Sequence, residues 1–385
     1  MHRRAWIEID AAALAHNARI IRRATPAAAR LAILVKADGY GHGMLTAAQA
    51  ALDGGADALM VATLDEGLEL RAAGIDAPTL VVYPIAPDGV GDAVAADLEL
   101  SMGGAEVAGP TLAAWAAARP SLGDRRLRVH VEVDTGMGRG GVASDRLLEV
   151  LDALDATPAV ELAGVWSHLA DGVDADISGA QVARYEAALA AIAGTGRPRP
   201  VRHVAATEGL FAGTAPAYDM VRVGLAFYGA LGVDVEPAPS LAALAAELRP
   251  AMRVVAHPVR VETIAAGGTV GYGGEWTADR PSRVATLPIG YADGWSRRSW
   301  PGGEVLVRGR RMPLVGRVSM DSVCVDVTAI VGVSIDDEVV LLGRQDDEEI
   351  TATEIARFRG SIPNEVFCAL GPRRLDRRSS GQAER

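Results

Sequence analysis

The chain contains a single lysine, Lys36; all of its other basic side chains, among 38, are arginines. Lys36 directly follows the apolar run Leu31-Ala32-Ile33-Leu34-Val35 and precedes Ala37-Asp38-Gly39-Tyr40-Gly41-His42-Gly43. A lysine at a strand end commonly snorkels to solvent. A chain that uses arginine everywhere else and keeps one lysine here points instead to chemistry. Arginine cannot give up its proton, whereas lysine can form a Schiff base. The glycines around Tyr40 suit a loop whose backbone closely approaches a bound group.

Other candidates are weaker alone. Val133-Asp134-Thr135-Gly136-Met137-Gly138-Arg139-Gly140-Gly141 contains a formal G-x-G-x-x-G after an apolar run, with Glu161 about 20 residues on, as a dinucleotide site requires. Arg139 lies inside that loop and the helical pattern starts only near Ser144, so this is a false match. His168 closes Trp166-Ser167-His168, and a lone histidine there is more often structural. Arg222 sits in Asp219-Met220-Val221-Arg222-Val223-Gly224. Tyr272 occupies the glycine-rich Val270–Gly274, where a tyrosine usually anchors a turn, and Arg317-Val318-Ser319-Met320-Asp321 is a further dense run.

Eight short Val/Ile/Leu runs order the first part of the chain, at 31–35, 58–61, 79–82, 98–102, 127–133, 162–167, 201–205 and 220–224; Lys36, Asp134 and His168 directly follow three of them and Arg222 lies in the last. Helix-like stretches such as 105–118, 146–156 and 182–192 lie between them. This α/β alternation predicts a parallel sheet with crossover helices, and eight units over ~200–250 residues suit a closed (β/α)8 TIM barrel. A doubly wound sheet is the other arrangement. The barrel is expected over 10–233, where its C-terminal strand ends would build the site. Pro237 and Pro239 mark a linker, with one more helix at 241–248. A mainly antiparallel β domain is expected over 240–378, with strands at 252–262, 283–288, 304–307, 322–327 and 337–342. Thr351-x-x-Glu354 predicts a capped helix start. The first strand, 4–9, is expected to join the β domain. The charged, small-residue stretch from Arg373 reads as frayed, with 379–385 as tail.

Composition narrows the function classes. A net charge of −11 argues against a nucleic-acid surface, which needs clustered Lys and Arg. With 49% hydrophobic and 23% charged residues the chain can build sizeable cores. No apolar run reaches the ~18 residues of a membrane span, and residues 5–10 alternate like a strand where a signal peptide would be apolar. Cys324 and Cys368 are the only cysteines, too few for a disulfide scaffold or Cys-rich zinc site. A cytoplasmic, multidomain protein without a metal centre is expected.

Six segments in order resemble the alanine racemase family: Lys36 to Gly43, Asp134–Arg139, Val221–Gly224, Gly271–Gly273, Gly290-Tyr291-Ala292-Asp293-Gly294 and Gly316–Asp321. The resemblance runs from Trp6 to about Arg377. It implies a barrel that holds pyridoxal 5′-phosphate, a β domain and a homodimer with shared active sites, acting on a small amino acid. Lys36 would carry the cofactor and serve one face of the substrate, and Tyr272 of the other subunit the opposite face. Tyr40, His168, Thr207, Arg222, Gly224 and Leu225 match cofactor contacts. Arg139, Met320, Tyr291 and Arg297 match substrate and entryway positions, and Glu132 and Asp321 are the expected orienting carboxylates.

Three segments depart from the family pattern. Glu132 stands where many members carry a carbamylated lysine, and supplies a permanent carboxylate to Arg139. Ala205-Ala206-Thr207 replaces Ala-Asn-Ser, keeping the hydroxyl and losing the amide. A gate tyrosine aligns with Pro372. Racemisation of alanine is the leading expectation. Racemisation of a larger or more polar amino acid such as serine is the alternative, followed by a decarboxylase- or aldolase-type reaction. A non-catalytic cofactor carrier lacks reason to keep the β domain.

Overall fold

The computed structural model describes residues 4–370 and 375–379. Strand β1 (Ala5–Ile9) precedes a helix over Ala11–Ala24 whose first turn is capped by Asp10, which accepts from the Ala13 N–H at 2.9 Å. Eight parallel strands follow: β2 (Arg30–Leu34), β3 (Ala58–Val61), β4 (Thr79–Val81), β5 (Glu99–Met102), β6 (Leu127–Glu132), β7 (Val160–Trp166), β8 (Val201–His203) and β9 (Met220–Val223). They pair in sequence from β2 to β8, and β9 returns to β2. Backbone bonds from Asp219 N–H to Arg202 O (3.0 Å) and Arg222 N–H to Ala205 O (2.9 Å) bring β8 against β9 and nearly close the ring. The doubly wound alternative is thereby excluded.

The barrel wall divides by chemistry. A separate apolar cluster of Ala32, Ala58, Met60, Leu80 and Met220 occupies the β2–β4 and β9 side. On β5 to β9, Ser101, His130, Trp166, His203 and Arg222 are buried instead. Buried polar groups must find partners, so this half of the barrel is organised by hydrogen bonds.

The rest is mainly antiparallel: β10 (Met252–Ala256), β11 (Arg260–Ile264), β12 (Thr269–Val270), β13 (Trp276–Thr277), β14 (Ser282–Leu287), β15 (Glu304–Val307), β16 (Arg310–Pro313), β17 (Val323–Asp326), β18 (Val339–Gln345), β19 (Glu348–Ile350) and β20 (Asp376–Ser379). One sheet runs β16-β15-β18-β10-β1-β20, a second β11-β14-β17, and β12-β13 is a small hairpin. Strand β1 pairs antiparallel with β10, so the chain starts in the sheet it reaches again after the barrel.

Two expectations need correction. The strand expected at 252–262 is two strands in different sheets. Pro258 has no N–H to give a ladder, and the chain changes sheet around it. The stretch read as frayed from Arg373 includes β20, which pairs parallel with β1 through Ser379. Partners far off in sequence order it, which its charged composition does not signal. Pro372 and residues 380–385 lie outside the described residues.

Candidate active site

Lys36 stands two residues beyond β2, at the barrel rim. The backbone after it turns left-handed, with φ of 52° at Ala37, 53° at Asp38, 62° at Gly39 and 47° at Tyr40. Such a run costs L-residues roughly 1–2 kcal/mol each and persists only when the surroundings over-determine it. Glu66 is one such constraint: its carboxylate accepts from the N–H groups of Ala37 (2.7 Å) and Ala62 (2.7 Å). Asp38 is another, accepting from the Met44 N–H at 2.9 Å and pairing with Arg377 of β20. Glu66 also forms a capping box with Thr63, a signal legible as Thr63-x-x-Glu66.

Lys36 opens into a cavity of about 380 Å³ that is also lined by Tyr40, Glu132, Arg139, His168, Thr207, Arg222, Gly224 and Leu225. Every barrel residue expected at the site is therefore gathered there. Burial, then the Arg139 charge, lowers the Lys36 pKa, favouring a neutral amine, while Glu66 opposes the shift. The Tyr40 hydroxyl is buried against Gly224, where an added Cβ would lie 2.7 Å from it. Burial raises the Tyr40 pKa, keeping the hydroxyl protonated, against an opposing pull from the neighbouring Asn364 carboxamide.

Arg222 is 4% exposed. Its NH1 donates to His203 Nδ1 (3.2 Å) and His203 O (2.9 Å), and its NH2 to Ser167 O (2.9 Å) and His168 Nδ1 (3.2 Å). A guanidinium only donates, so both Nδ1 atoms accept and both rings carry their proton on Nε2. Among the described residues no partner takes the Arg222 Nε–H, which leaves that donor for a bound group. Burial lowers the Arg222 pKa to about 10, which still keeps it charged at neutral pH. Burial and then the charges of Arg222, Arg139 and Lys36 hold His168 down to about 3, so it is neutral. Burial pushes Glu132 up to about 7 against the pull of Arg222 and Arg139. Among the described residues no hydrogen bond joins Glu132 to Arg139; they interact through space.

The formal G-x-G-x-x-G serves an internal purpose. Asp134 Oδ1 accepts from the N–H groups of Gly136, Met137 and Gly138 at 2.9, 3.1 and 3.2 Å, so these donors face a carboxylate of the chain itself. The loop carries Arg139 to the cavity.

Tyr272, Tyr291, Arg297, Met320 and Asp321 do not line this cavity. They gather on the β domain. The Gly271 turn packs against Arg317, the Tyr291 N–H donates to Ser319 O (3.1 Å), and Arg297 donates to Val318 O (3.1 Å). Tyr272 is 67% and Met320 53% exposed.

Sequence reasoning missed Asn364, the β-domain residue that lines the cavity. It also missed Trp166 as a site residue; its ring stacks on His203 and lies under the Arg222 guanidinium at 4.9 Å.

The lysine amine and the buried guanidinium thus share one cavity of a barrel that continues into a β domain. The family model "Alanine racemase, N-terminal domain" matches residues 9–232 and "Alanine racemase, C-terminal domain" residues 251–378. The chain belongs to the alanine racemase family. The alanine racemase of Symbiobacterium thermophilum is 39% identical, with 98% of this chain and 97% of the relative covered. That of Nostoc sp. is 38% identical, covering 95% and 94%. Among solved structures, alanine racemase from Bacillus anthracis with bound L-Ala-P superimposes with a TM-score of 0.88 at 31% identity, covering 100% of this chain and 97% of the other. The enzyme from D-cycloserine-producing Streptomyces lavendulae gives 0.88 at 32% identity, covering 100% and 98%.

Proposed function

We propose that this enzyme interconverts L- and D-alanine with pyridoxal 5′-phosphate, through two bases on opposite faces of the substrate. The observation that carries this reading is the sole lysine opening into a cavity that a pinned guanidinium also lines. The donor set fits the cofactor: Lys36 for its aldehyde, the hydroxyls of Tyr40 and Thr207 with Gly224 and Leu225 for its phosphate, and the Arg222 Nε–H for its ring nitrogen. Gly224 leaves the space beside Tyr40 that a side chain would fill. When bound, the cofactor supplies an electron sink that acidifies the substrate's α-proton.

The protein's own groups do the rest. Lys36, its pKa lowered, takes or returns the α-proton on one face. Tyr272 of the partner subunit serves the other face, since it is exposed and absent from its own chain's cavity. Arg222 holds its proton and so keeps the cofactor ring unprotonated, a weaker sink that limits side reactions. Arg139 offers a charge to the substrate carboxylate, oriented by Glu132. The exposed patch around Tyr272 and Met320 supports a homodimer in which each β domain completes the partner's site.

The test is to incubate the protein and cofactor with L-alanine in D2O. Deuterium at Cα and formation of D-alanine are expected, and borohydride should fix the cofactor on the peptide containing Lys36. Label on another residue, or no exchange, defeats the reading.

A second reading rests on Asn364. Its carboxamide is a donor and acceptor beside Tyr40 at the cavity wall and suits a substrate hydroxyl, as in serine. Wild-type kcat/KM for L-serine at or above that for L-alanine, with serine selectively lost in Asn364→Leu, would favour it.

A further inference from the structure

The hydrogen bonds that pin Arg222 continue through the barrel interior. His203 Nε2 lies 2.9 Å from His130 Nδ1, and His130 Nε2 lies 2.9 Å from Glu99 Oε2. Glu99 opens β5 at the opposite end of the barrel from the cavity, His130 lies on β6 and His203 closes β8. His130 is 2% exposed and His203 fully buried, so water does not compete for these bonds. The chain makes room for this line. His130 pairs in register with Gly164 of β7, where an added Cβ would lie 2.2 Å from His130 Nδ1.

Proton positions along the line follow from its ends. Arg222 can only donate, so His203 Nδ1 accepts and the His203 proton sits on Nε2. That proton is donated to His130 Nδ1, which leaves the His130 proton on Nε2, donated to Glu99. Glu99 must therefore accept, and it must do so twice, because Arg128 Nε donates to its Oε1 at 3.2 Å. Only a carboxylate offers acceptors to both. Burial raises the Glu99 pKa, but the His130 hydrogen bond, His130 and Arg128 more than offset it, so the group is ionised.

We infer that Glu99 and His130 are positioning residues for Arg222: they lock His203 in the tautomer that offers Arg222 a lone pair. With the opposite tautomer, His203 Nδ1–H would face Arg222 NH1 donor to donor, and the guanidinium would be displaced from its aim into the cavity. This rests on the reading of Arg222 as the group facing the cofactor ring.

Glu99→Gln replaces one carboxylate oxygen with an amide NH2, which only donates. Arg128 and His130 approach opposite oxygens of Glu99, so the single carbonyl can face one of them and the NH2 meets the other. Removing Arg128 frees that carbonyl for His130, so Glu99→Gln/Arg128→Leu should regain what Glu99→Gln loses. The experiment is ring ¹⁵N NMR of histidine-labelled protein, with kinetics alongside. In the wild type, His203 and His130 should both show protonated Nε2 and unprotonated Nδ1. In Glu99→Gln, His203 should become a mixture of tautomers, with kcat lowered at least ~10-fold and KM within ~2-fold. The double variant should restore both. A protonated Nδ1 on wild-type His203, an unchanged His203 in Glu99→Gln, or losses that add in the double variant would overturn the inference. The wild-type spectrum decides even if Glu99→Gln does not fold. A wild type without racemase activity would defeat the functional reading, while the spectrum would still judge the relay.

Discussion

The α-carbon of Gly41 faces the backbone carbonyl of Phe367, and a Cβ built on it would lie 2.5 Å from that oxygen. The lysine loop and the helix Pro363–Ala369 that carries Asn364 are thus in backbone contact. The β domain seats the loop that bears Lys36.

Gly41→Ala should destabilise the chain by more than about 2 kcal/mol, since it combines the contact with a φ of +80°. Gly74, with φ +79° and open space around it, is the control. Gly74→Ala meets only the backbone term, about 1 kcal/mol. Thermal unfolding of the two variants separates the terms, and equal losses would refute the contact.

Lys36→Ala and Tyr272→Phe should each be inactive, and mixing them should restore activity. Random exchange makes half the dimers hybrid, each with one intact site, so recovery should approach roughly a quarter of wild type. Exchange without recovery, followed by native mass spectrometry, would rule out sites shared between subunits.

Glu132, with its pKa raised to about 7, gives a signed pH effect. A raised carboxylate pKa means the neutral form suits the fold, so stability from this group is full below about 4.5 and lost as pH rises through 7. Glu132→Gln should match wild type near pH 4 and be more stable at pH 8, by up to about 3 kcal/mol. Substrate binding should move the other way. KM of the wild type should fall from pH 6 to 8 as the carboxylate ionises beside Arg139, and stay flat and higher in Glu132→Gln. Bicarbonate should change neither. Parallel pH profiles for the two proteins would sink the orienting role.

His42 is buried, its Nδ1 within 3.0 Å of Tyr40 O and 3.1 Å of Gly39 O. Burial lowers its pKa to about 4. A depressed histidine pKa gives stability that is full above about 6.5 and lost as pH falls through 4. Denaturant unfolding should show this loss, worth about 3 kcal/mol, and His42→Gln should flatten part of the slope. An unaltered slope would show that His42 is not its source.

The eight barrel strands were legible because their signal is local. Runs such as Ala58–Val61, buried along their whole length, read as strands bounded by turns, and the helix Ala105–Ala118 by its own pattern. Lys36 was legible as a chemical oddity, and the six motifs carry the family resemblance by themselves. What the sequence did not contain is convergence. Glu99, His130, His203 and Arg222 form one line only because the ring closes with a particular register, and register depends on strands far apart in sequence. Asn364 reaches the cavity because Phe367 docks on Gly41, and Asp376–Ser379 is ordered because β1 offers an open edge. Local periodicity decides which residues form strands and helices; the tertiary packing alone decides which distant donors meet which acceptors, because a hydrogen bond is made within about 3 Å in space whatever the separation along the chain.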